Sequence, residues 1–184
     1  AAKGLRLTHH YSRSTVCAPT RCSIMNGEHT GHAFVRGNRE VQPEGQAPIP
    51  ADMITIPKLL KDAGYTTGMF GKWGLGAPGS DGDPVKQGWD EFYGYNCQRQ
   101  AHTFYPKHLW HNDEKVMLDG NTYSHDLIQN EAIQFIRDNA KKPFFAYFPI
   151  TIPHAAMECP EEDVAPIRKK FPQFEDKIGR YSHG

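Results

Sequence analysis

The sequence predicts an α/β fold in which a mostly parallel sheet is flanked by helices. Two helix–strand units with short joints carry this prediction. In the first, a helix over 54–64 is followed by a strand over 65–70, and in the second a helix over 124–139 is followed by a strand over 144–150. Alternation of helix and strand with short connections is typical of parallel sheets.

The first unit has helix signals at both ends. Thr55 is a candidate N-cap, Pro57 suits the first turn, and Gly64 suits the position after the last turn. The sequence YTTGMF that follows predicts a strand running into GKWGLG.

The second unit is the clearer of the two, and Ser124 is the candidate cap of its helix. One face of this helix carries six apolar residues: Leu127, Ile128, Ala132, Ile133, Phe135 and Ile136. After Pro143, the nearly continuous apolar run FFAYFPI predicts a strand buried on both faces of the sheet.

Long stretches rich in glycine and proline separate the units, at 27–53 and 76–123, and we expect them to be functional loops. In α/β sheets, sites form outside the carboxyl ends of the strands. GKWGLG and TIPHAAMECP occupy such positions. No internal repeat or second domain is evident, so 1–184 is predicted to be one domain.

The composition excludes some function classes. Lys and Arg together number 21, as do Asp and Glu, so the net charge of zero argues against a general nucleic-acid binder but not against a local anion site. No run of 18 apolar residues predicts a membrane span. The four cysteines, Cys17, Cys22, Cys97 and Cys159, lack the close spacing of a zinc or redox pair.

The segment TVCAPTRCSIMNG contains a C-x-P-x-R pattern. Pro19 and Gly27 predict a helix over 19–26, with Cys17 just before its N-terminus, where free N–H groups favour an anion. Arg21, one turn further, offers a planar fork of donors for an oxyanion. A buried structural cysteine with a surface arginine explains the pattern about as well.

Three segments that follow one another in the chain favour the functional interpretation of this pattern over the structural one. STVCAPTRCSIMNG, TTGMFGKWGLG and FPITIPHAAMECPEE resemble, in order and approximate spacing, the signatures of the type I sulfatases of the alkaline-phosphatase-like superfamily. The resemblance extends over nearly the whole chain. It implies an incomplete sulfatase-like catalytic domain, lacking the first strand and the C-terminal part, with an exposed sheet edge and poor solubility.

The resemblance also implies roles for four residues. Cys17 would be oxidised to formylglycine, whose hydrate attacks sulfur, and Arg21 would hold that hydrate. Lys72 would contact the sulfate, and His154 would protonate the leaving group, which suits a pKa near neutrality. Pro19 would be part of the sequence that the formylglycine-generating enzyme recognises.

Two positions depart from the family pattern. Gly74 replaces a frequent histidine, so we expect His102, His32 or Arg36 to supply the lost polar contact. Asn26 replaces a Thr or Ser, with little expected effect.

The loop 94–106 corresponds to a substrate-facing loop in the family, where Gln98 and His102 are candidate substrate contacts. A solvated loop explains each of these two residues equally well. Four aromatic residues of this region could stack on a sugar or aryl ring, or simply form core: Tyr95, Phe104, Tyr105 and Trp110.

Sulfatases of this family hold one divalent cation, usually calcium. Asp81, Asp83 and Asp90 do not match the family's ligand positions, so no metal ligand is assigned, and we expect the calcium ligands of the whole protein to lie outside this chain. The chain alone is therefore expected to be inactive.

The predicted function is hydrolysis of a sulfate ester, with a sulfated carbohydrate as the expected substrate. A phosphonate monoester or phosphodiester hydrolase of the same superfamily is an alternative, because the formylglycine signature can be shared. A non-enzymatic carbohydrate or metal-binding module is a third possibility, which the scattered histidines disfavour. The resemblance implies a periplasmic or secreted location.

Overall fold

A computed structural model of the protein describes residues 4–154 and 157–172. Four helices and five strands are present in this part of the chain. The helices are α1 (Cys17–Asn26), α2 (Ile56–Asp62), α3 (Ser124–Asn139) and α4 (Glu161–Lys170). The strands are β1 (Thr66–Lys72), β2 (Glu91–Tyr95), β3 (His108–His111), β4 (Glu114–Met117) and β5 (Phe144–Tyr147). Two short 3₁₀ turns cover Pro84–Gln87 and Gln100–His102.

The strands form one mixed sheet in the order β4-β3-β2-β1-β5. β1 lies between β2 and β5 and pairs in parallel with both, while β3 and β4 form an antiparallel hairpin beside β2. The α/β prediction is therefore confirmed, but the prediction of a loop over 76–123 is wrong. That stretch contains β2, β3 and β4, whose 4–5 residues each are too short to show a clear alternating pattern.

The helix ends differ from prediction at one point that matters for the site. α1 begins at Cys17 rather than at residue 19, so the cysteine lies in the first turn. Gly27 ends α1 as predicted, with a φ of 75°. Thr55 is the N-cap residue of α2, but its hydroxyl donates to the carbonyl of Gln87 (2.9 Å) instead of capping the helix.

The prediction for α3 gives the observed bounds, although Ser124 is its first residue and not its cap. The Ser124 hydroxyl instead accepts a hydrogen bond from Tyr95 Oη at 2.7 Å, which ties α3 to the end of β2. Ile128, Ala132 and Phe135 are buried against the sheet, whereas Ile133 and Ile136 lie at the margin of this face and are partly exposed.

β5 is half-buried, so the prediction of a strand buried on both faces is wrong. The reason is its position, because β5 is the last strand in the order and pairs only with β1 among the described residues. Trp89 stacks on Phe145 and Tyr147 and covers one side of it. The exposed sheet edge that the resemblance implies stays a prediction.

Apolar clusters cover both faces of the sheet, because successive residues of β1 and β2 point to opposite sides. Met69 and Phe92 lie on the face that packs against α1, and Phe70 and Tyr93 lie on the face that packs against α3. Cys22 is fully buried in the first cluster, as expected for a small packed residue. No helix in the described ranges is long and apolar enough to cross a membrane.

Candidate active site

The N-terminus of α1 carries Cys17, which is half-buried. The amide of Ala18 donates to Asn38 Oδ1 at 2.9 Å, and Pro19 has no N–H to donate. The first turn therefore offers fewer free N–H groups than the sequence suggests. Positive charge beside Cys17 comes instead from side chains.

Lys72 is the last residue of β1, and it brings its ammonium to the cysteine. The side chain is only 2% exposed, and Nζ lies 4.0 Å from Cys17 Sγ. Burial, followed by repulsion from the Arg21 guanidinium, lowers the pKa of Lys72 to about 8. The residue therefore remains mostly protonated at neutral pH, although the folded protein stabilises that charge poorly.

Arg21 lies one turn after Cys17 and joins α1 to the end of β1. Its Nη1 donates a short hydrogen bond to the backbone carbonyl of Lys72, and its Nε is buried without a hydrogen-bond partner among the described residues. Burial lowers the pKa of Arg21, while the neighbouring Tyr147 and Cys17 oppose that shift. We call Cys17, Arg21 and Lys72 the nucleophile wall.

Two histidines face each other across two loops. The imidazole rings of His102 and His154 stack with centroids 4.7 Å apart and planes 18° apart. Burial lowers the pKa of both histidines, and Lys72 lowers both further. His154 Nδ1 is buried without a partner in the described part of the chain. We call this pair the histidine wall.

Glu158 holds the two histidine loops together; it lies in the segment TIPHAAMECP, but no role is predicted for it from the sequence. One carboxylate oxygen accepts from the backbone N–H of Phe104 at 2.5 Å and from the Thr103 hydroxyl at 3.1 Å. Thr103 directly follows His102, and Glu158 lies four positions after His154. The contact thus joins the segment after one histidine to the segment after the other.

One residue of each wall, Cys17 and His102, lines a cavity of about 370 Å³. Five further residues complete its lining: Asn38, Glu40, Gln46, Gln98 and Arg99. Glu40 forms an ion pair with Arg99 at 2.6 Å, and Gln46 Oε1 accepts a hydrogen bond from the backbone N–H of Gln98 at 2.8 Å. Asn38, Glu40 and Gln46 come from the loop 27–53. The length of that loop predicts function, but no residue pattern within it singles them out.

The structure brings six sequence-predicted site residues to this region: Cys17, Arg21, Lys72, Gln98, His102 and His154. It does not bring His32 or Arg36. Both are exposed and neither lines the cavity, and Arg36 Nε bonds locally to the Ala33 carbonyl at 3.2 Å. Of the three candidates to replace a contact at Gly74, only His102 lies at the site.

The aromatic residues of the 94–106 region are mostly core. Tyr95, Phe104 and Trp110 are at most 9% exposed, so stacking on a ligand is ruled out for them in this structure. Tyr105 is partly exposed and packs against Tyr123 at a ring distance of 5.4 Å.

Two of the three acidic residues that lack a family match have structural contacts. Asp83 accepts from the amides of Gly79 and Val85, and Asp90 pairs with Lys61 at 2.5 Å. Within 4–154 and 157–172, no cluster of three or more His, Cys, Asp or Glu side chains could hold a metal ion. No calcium ligand is therefore assigned among the described residues.

Known proteins resemble this chain in sequence. A family model described as Sulfatase matches residues 1–182. The arylsulfatase of Hemicentrotus pulcherrimus is 33% identical over 180 residues, covering 85% of this chain and 32% of that protein. Human N-acetylgalactosamine-6-sulfatase is 31% identical over 177 residues, covering 84% of this chain and 34% of that protein. The chain thus spans about a third of the length of these relatives.

Solved structures show the same fold. Ps i-CgsB, in complex with k-i-k-neocarrahexaose, superposes with a TM-score of 0.74 at 26% identity, covering 91% of this chain and 40% of that chain. BT4656, in complex with its substrate D-glucosamine-2-N,6-O-disulfate, gives a TM-score of 0.67 at 24% identity, covering 93% of this chain and 33% of that chain. At this identity the second likeness concerns the fold alone.

Proposed function

This chain belongs to the sulfatase family, and from that premise we propose that it carries the nucleophile and the leaving-group acid of a sulfuric ester hydrolase. One observation carries the proposal: the ammonium of buried Lys72 lies 4.0 Å from Cys17 Sγ, in a site that also holds Arg21. Two cations beside one side chain at a cavity suit an anionic substrate and the charge that develops during its cleavage.

Cys17 is proposed to be converted to formylglycine by a formylglycine-generating enzyme. Its position fits, because it is only half-buried, lines the cavity and has Lys72 beside its side-chain atom. In that form residue 17 would supply one hydroxyl as the nucleophile toward sulfur and a second whose proton loss would re-form the aldehyde and release sulfate. An unmodified thiol cannot release sulfate in this way.

Lys72 and Arg21 provide the positive charge at the nucleophile. The Lys72 pKa of about 8 means that its ammonium is present at neutral pH and that a bound anion stabilises it further. Arg21 is fixed by its bond to the Lys72 carbonyl, so the two cations keep a constant relative position. Groups preorganised in this way lose little energy to reorganisation when charge develops.

His154 is proposed to protonate the leaving oxygen, with His102 stacked on it. The lowered pKa of His154 makes its protonated form a stronger acid than an ordinary imidazolium. An alcohol leaving group, such as a sugar hydroxyl, needs this proton much more than a phenol does.

The proposed substrate is a sulfated carbohydrate. The cavity of about 370 Å³ lies within the usual range for small-molecule sites, and a relative is an N-acetylgalactosamine-6-sulfatase. Calcium is proposed to act in the whole protein through ligands outside the described residues. A periplasmic or secreted location is proposed on family grounds.

The test uses the whole protein coexpressed with a formylglycine-generating enzyme. Mass spectrometry of the peptide 14–21 should show formylglycine at position 17, and the protein should hydrolyse 4-nitrophenyl sulfate. The Cys17→Ala variant should be folded and inactive. An unmodified Cys17 in an active enzyme would refute the nucleophile, and turnover of a phenyl phosphonate in preference to the sulfate would favour the phosphonate hydrolase.

A further inference from the structure

Gln98 and Gly74 meet beside Cys17, and their contact suggests a binding role that the proposed mechanism does not use. We propose that they form an interdependent pair, in which Gly74 leaves room for Gln98 and the Gln98 amide oxygen accepts a hydrogen bond from a substrate hydroxyl. The inference rests on the proposed function, and it names the substrate class more narrowly. It makes Gln98 a specificity residue for a hydroxylated sulfate ester.

Gly74 is required by its surroundings on two grounds. Its φ is 82°, a conformation that favours glycine, and a Cβ at this position would lie 2.5 Å from Gln98 Cγ. The backbone around it is fixed by two hydrogen bonds. The N–H of Gly74 donates to the Asn96 carbonyl at 3.1 Å, and the indole N–H of the preceding, buried Trp73 donates to the Gly82 carbonyl. The space beside residue 74 is therefore occupied by Gln98.

Gln98 is held in place from its backbone outwards. Its own N–H donates to Gln46 Oε1 at 2.8 Å, and its Nε2 lies 3.5 Å from the Gly74 carbonyl. The residue is only 5% exposed and lines the cavity together with Cys17 and His102. Its Oε1 has no hydrogen-bond partner among the described residues.

A buried acceptor without a donor is unfavourable, and a ligand that brings a donor removes that cost. An amide oxygen accepts hydrogen bonds and cannot donate them. Sulfate oxygens are also acceptors, so Gln98 Oε1 is not suited to hold the sulfate itself. Lys72 and Arg21 are suited to that anion, which leaves Gln98 to pair with a hydroxyl on the part of the substrate that carries the sulfate.

This division of contacts favours a sugar sulfate with a free hydroxyl near the ester over an aryl sulfate that has none. A site built to pair with a hydroxyl discriminates strongly against analogues that lack it, because the buried acceptor is then left unpaired.

The experiment measures kcat/KM of the whole, modified protein for a panel of monosaccharide sulfates, including N-acetylgalactosamine 6-sulfate, and for 4-nitrophenyl sulfate. For the best sugar substrate, Gln98→Met should lower the ratio of sugar to aryl kcat/KM by about tenfold or more. Gln98→Glu, which keeps an acceptor of the same length, should retain more of this ratio than Gln98→Met. Thermal unfolding midpoints establish that each variant is folded.

A second set of variants tests the interdependence of the pair. Gly74→Ala should lower the same ratio, because the new Cβ displaces Gln98, and it should have a smaller effect in a Gln98→Ala background. Additive effects, or an equal fall in activity on both substrates, would overturn the inference. So would a wild-type enzyme that cleaves the aryl sulfate and no sugar sulfate, whereas failure to cleave any sulfate ester would refute the proposed function itself.

Discussion

The nucleophile wall and the histidine wall are held in place by different means. Cys17 and Arg21 project from α1 and Lys72 from the end of β1, so regular secondary structure and one bond from the Arg21 side chain to the Lys72 carbonyl fix them. His102 and His154 lie in a 3₁₀ turn and a loop, and the carboxylate of Glu158 joins the segments that follow them. The nucleophile wall is thus held mainly by secondary structure, with side-chain contacts from Arg21 and Asn38 in support, whereas the histidine wall depends on Glu158 to join two loops.

The two walls also differ in what makes each of them costly to form. In the nucleophile wall, the charges of Lys72 and Arg21 are desolvated and repel each other, which disfavours the folded state without an anion. In the histidine wall, the lowered pKa values keep both imidazoles largely neutral at pH 7. This wall therefore requires the correct relative position of the two rings, and it contains little buried charge. Substitutions in the two walls should therefore have distinguishable effects on stability and on activity.

The largest effect is expected for Lys72→Met. Removing one of two cations beside the nucleophile should lower kcat/KM by about 1,000-fold for sugar and aryl sulfates alike. In the wild type, kcat/KM should also decline as the pH rises through about 8, since Lys72 then loses its proton. This decline should be absent from the variant, and steady-state kinetics from pH 6 to 9 would check both points, with the exposed Lys142→Met as control.

The same substitution should stabilise the free protein. The pKa of Lys72 is about 8 in the folded state, against an ordinary lysine value of 10.5, so the unfolded chain binds this proton more tightly. The cost is fully present below pH 8 and disappears as the pH rises towards 10.5. Lys72→Met should therefore raise the free energy of unfolding at pH 7 by about 3 kcal/mol. A loss of stability in denaturant titrations would contradict this account of the wall.

The next largest effect is expected for His154→Asn, and it should depend on the leaving group. We expect a fall of about 100-fold in kcat/KM for a sugar sulfate, and a much smaller fall for 4-nitrophenyl sulfate, whose phenolate leaves without a proton. The wild-type rate on the sugar should decline as the pH rises through a value below 6.5, because the pKa of His154 is lowered. Equal losses on both substrates would exclude His154 as the acid, and exposed His10→Asn is the control.

The sequence is sufficient to predict one wall and insufficient for the other. Cys17 and Arg21 belong to one short motif whose spacing is set by α1, so local structure predicts their proximity. Lys72 is predicted through the resemblance of GKWGLG to a family signature. His154 and His102 are also predicted, but their stacking is not, because it depends on how two loops separated by about 50 residues in sequence meet. Asn38, Glu40 and Gln46 carry no motif, and only the fold brings them to the cavity.

The fold shows the same division. The predicted bounds of α3 match the observed ones because 16 residues give several turns of periodic pattern. β3 and β4 have four residues each, and the sequence predicts loop there, since a strand of that length shows few alternations. The predicted burial of β5 is too high because an apolar run shows only which residues a strand contains. Its burial depends on the strands and helices that lie beside it.

A smaller effect is expected for Glu158→Ala, which removes the contact between the histidine loops. Its loss frees the Phe104 amide and the Thr103 hydroxyl, so His102 and His154 should stack less closely. We expect kcat/KM for the sugar sulfate to fall about tenfold, because the general acid is less well positioned, with little change for the aryl sulfate. Glu158→Gln keeps an acceptor and should restore most of the activity. An equal effect of the exposed Glu114→Ala would show that the contact has no positioning role.

The smallest effect is expected for Asn38→Ala, which tests whether the nucleophile wall depends on the Asn38 side chain that caps the N-terminus of α1. Asn38 Oδ1 accepts from the Ala18 amide at 2.9 Å, and Val16, the N-cap residue, provides no side-chain bond. Loss of this acceptor should lower the free energy of unfolding by about 1 kcal/mol, as for other helix N-caps. Because Lys72 and Arg21 are fixed independently, kcat/KM should change by less than about threefold, on the order of 0.6 kcal/mol. Asn38→Asp keeps the acceptor beside the positive end of α1 and should retain the stability. A large loss of activity in Asn38→Ala at unchanged stability would show that Asn38 contacts the substrate, and that the cavity extends the nucleophile wall into the loop 27–53.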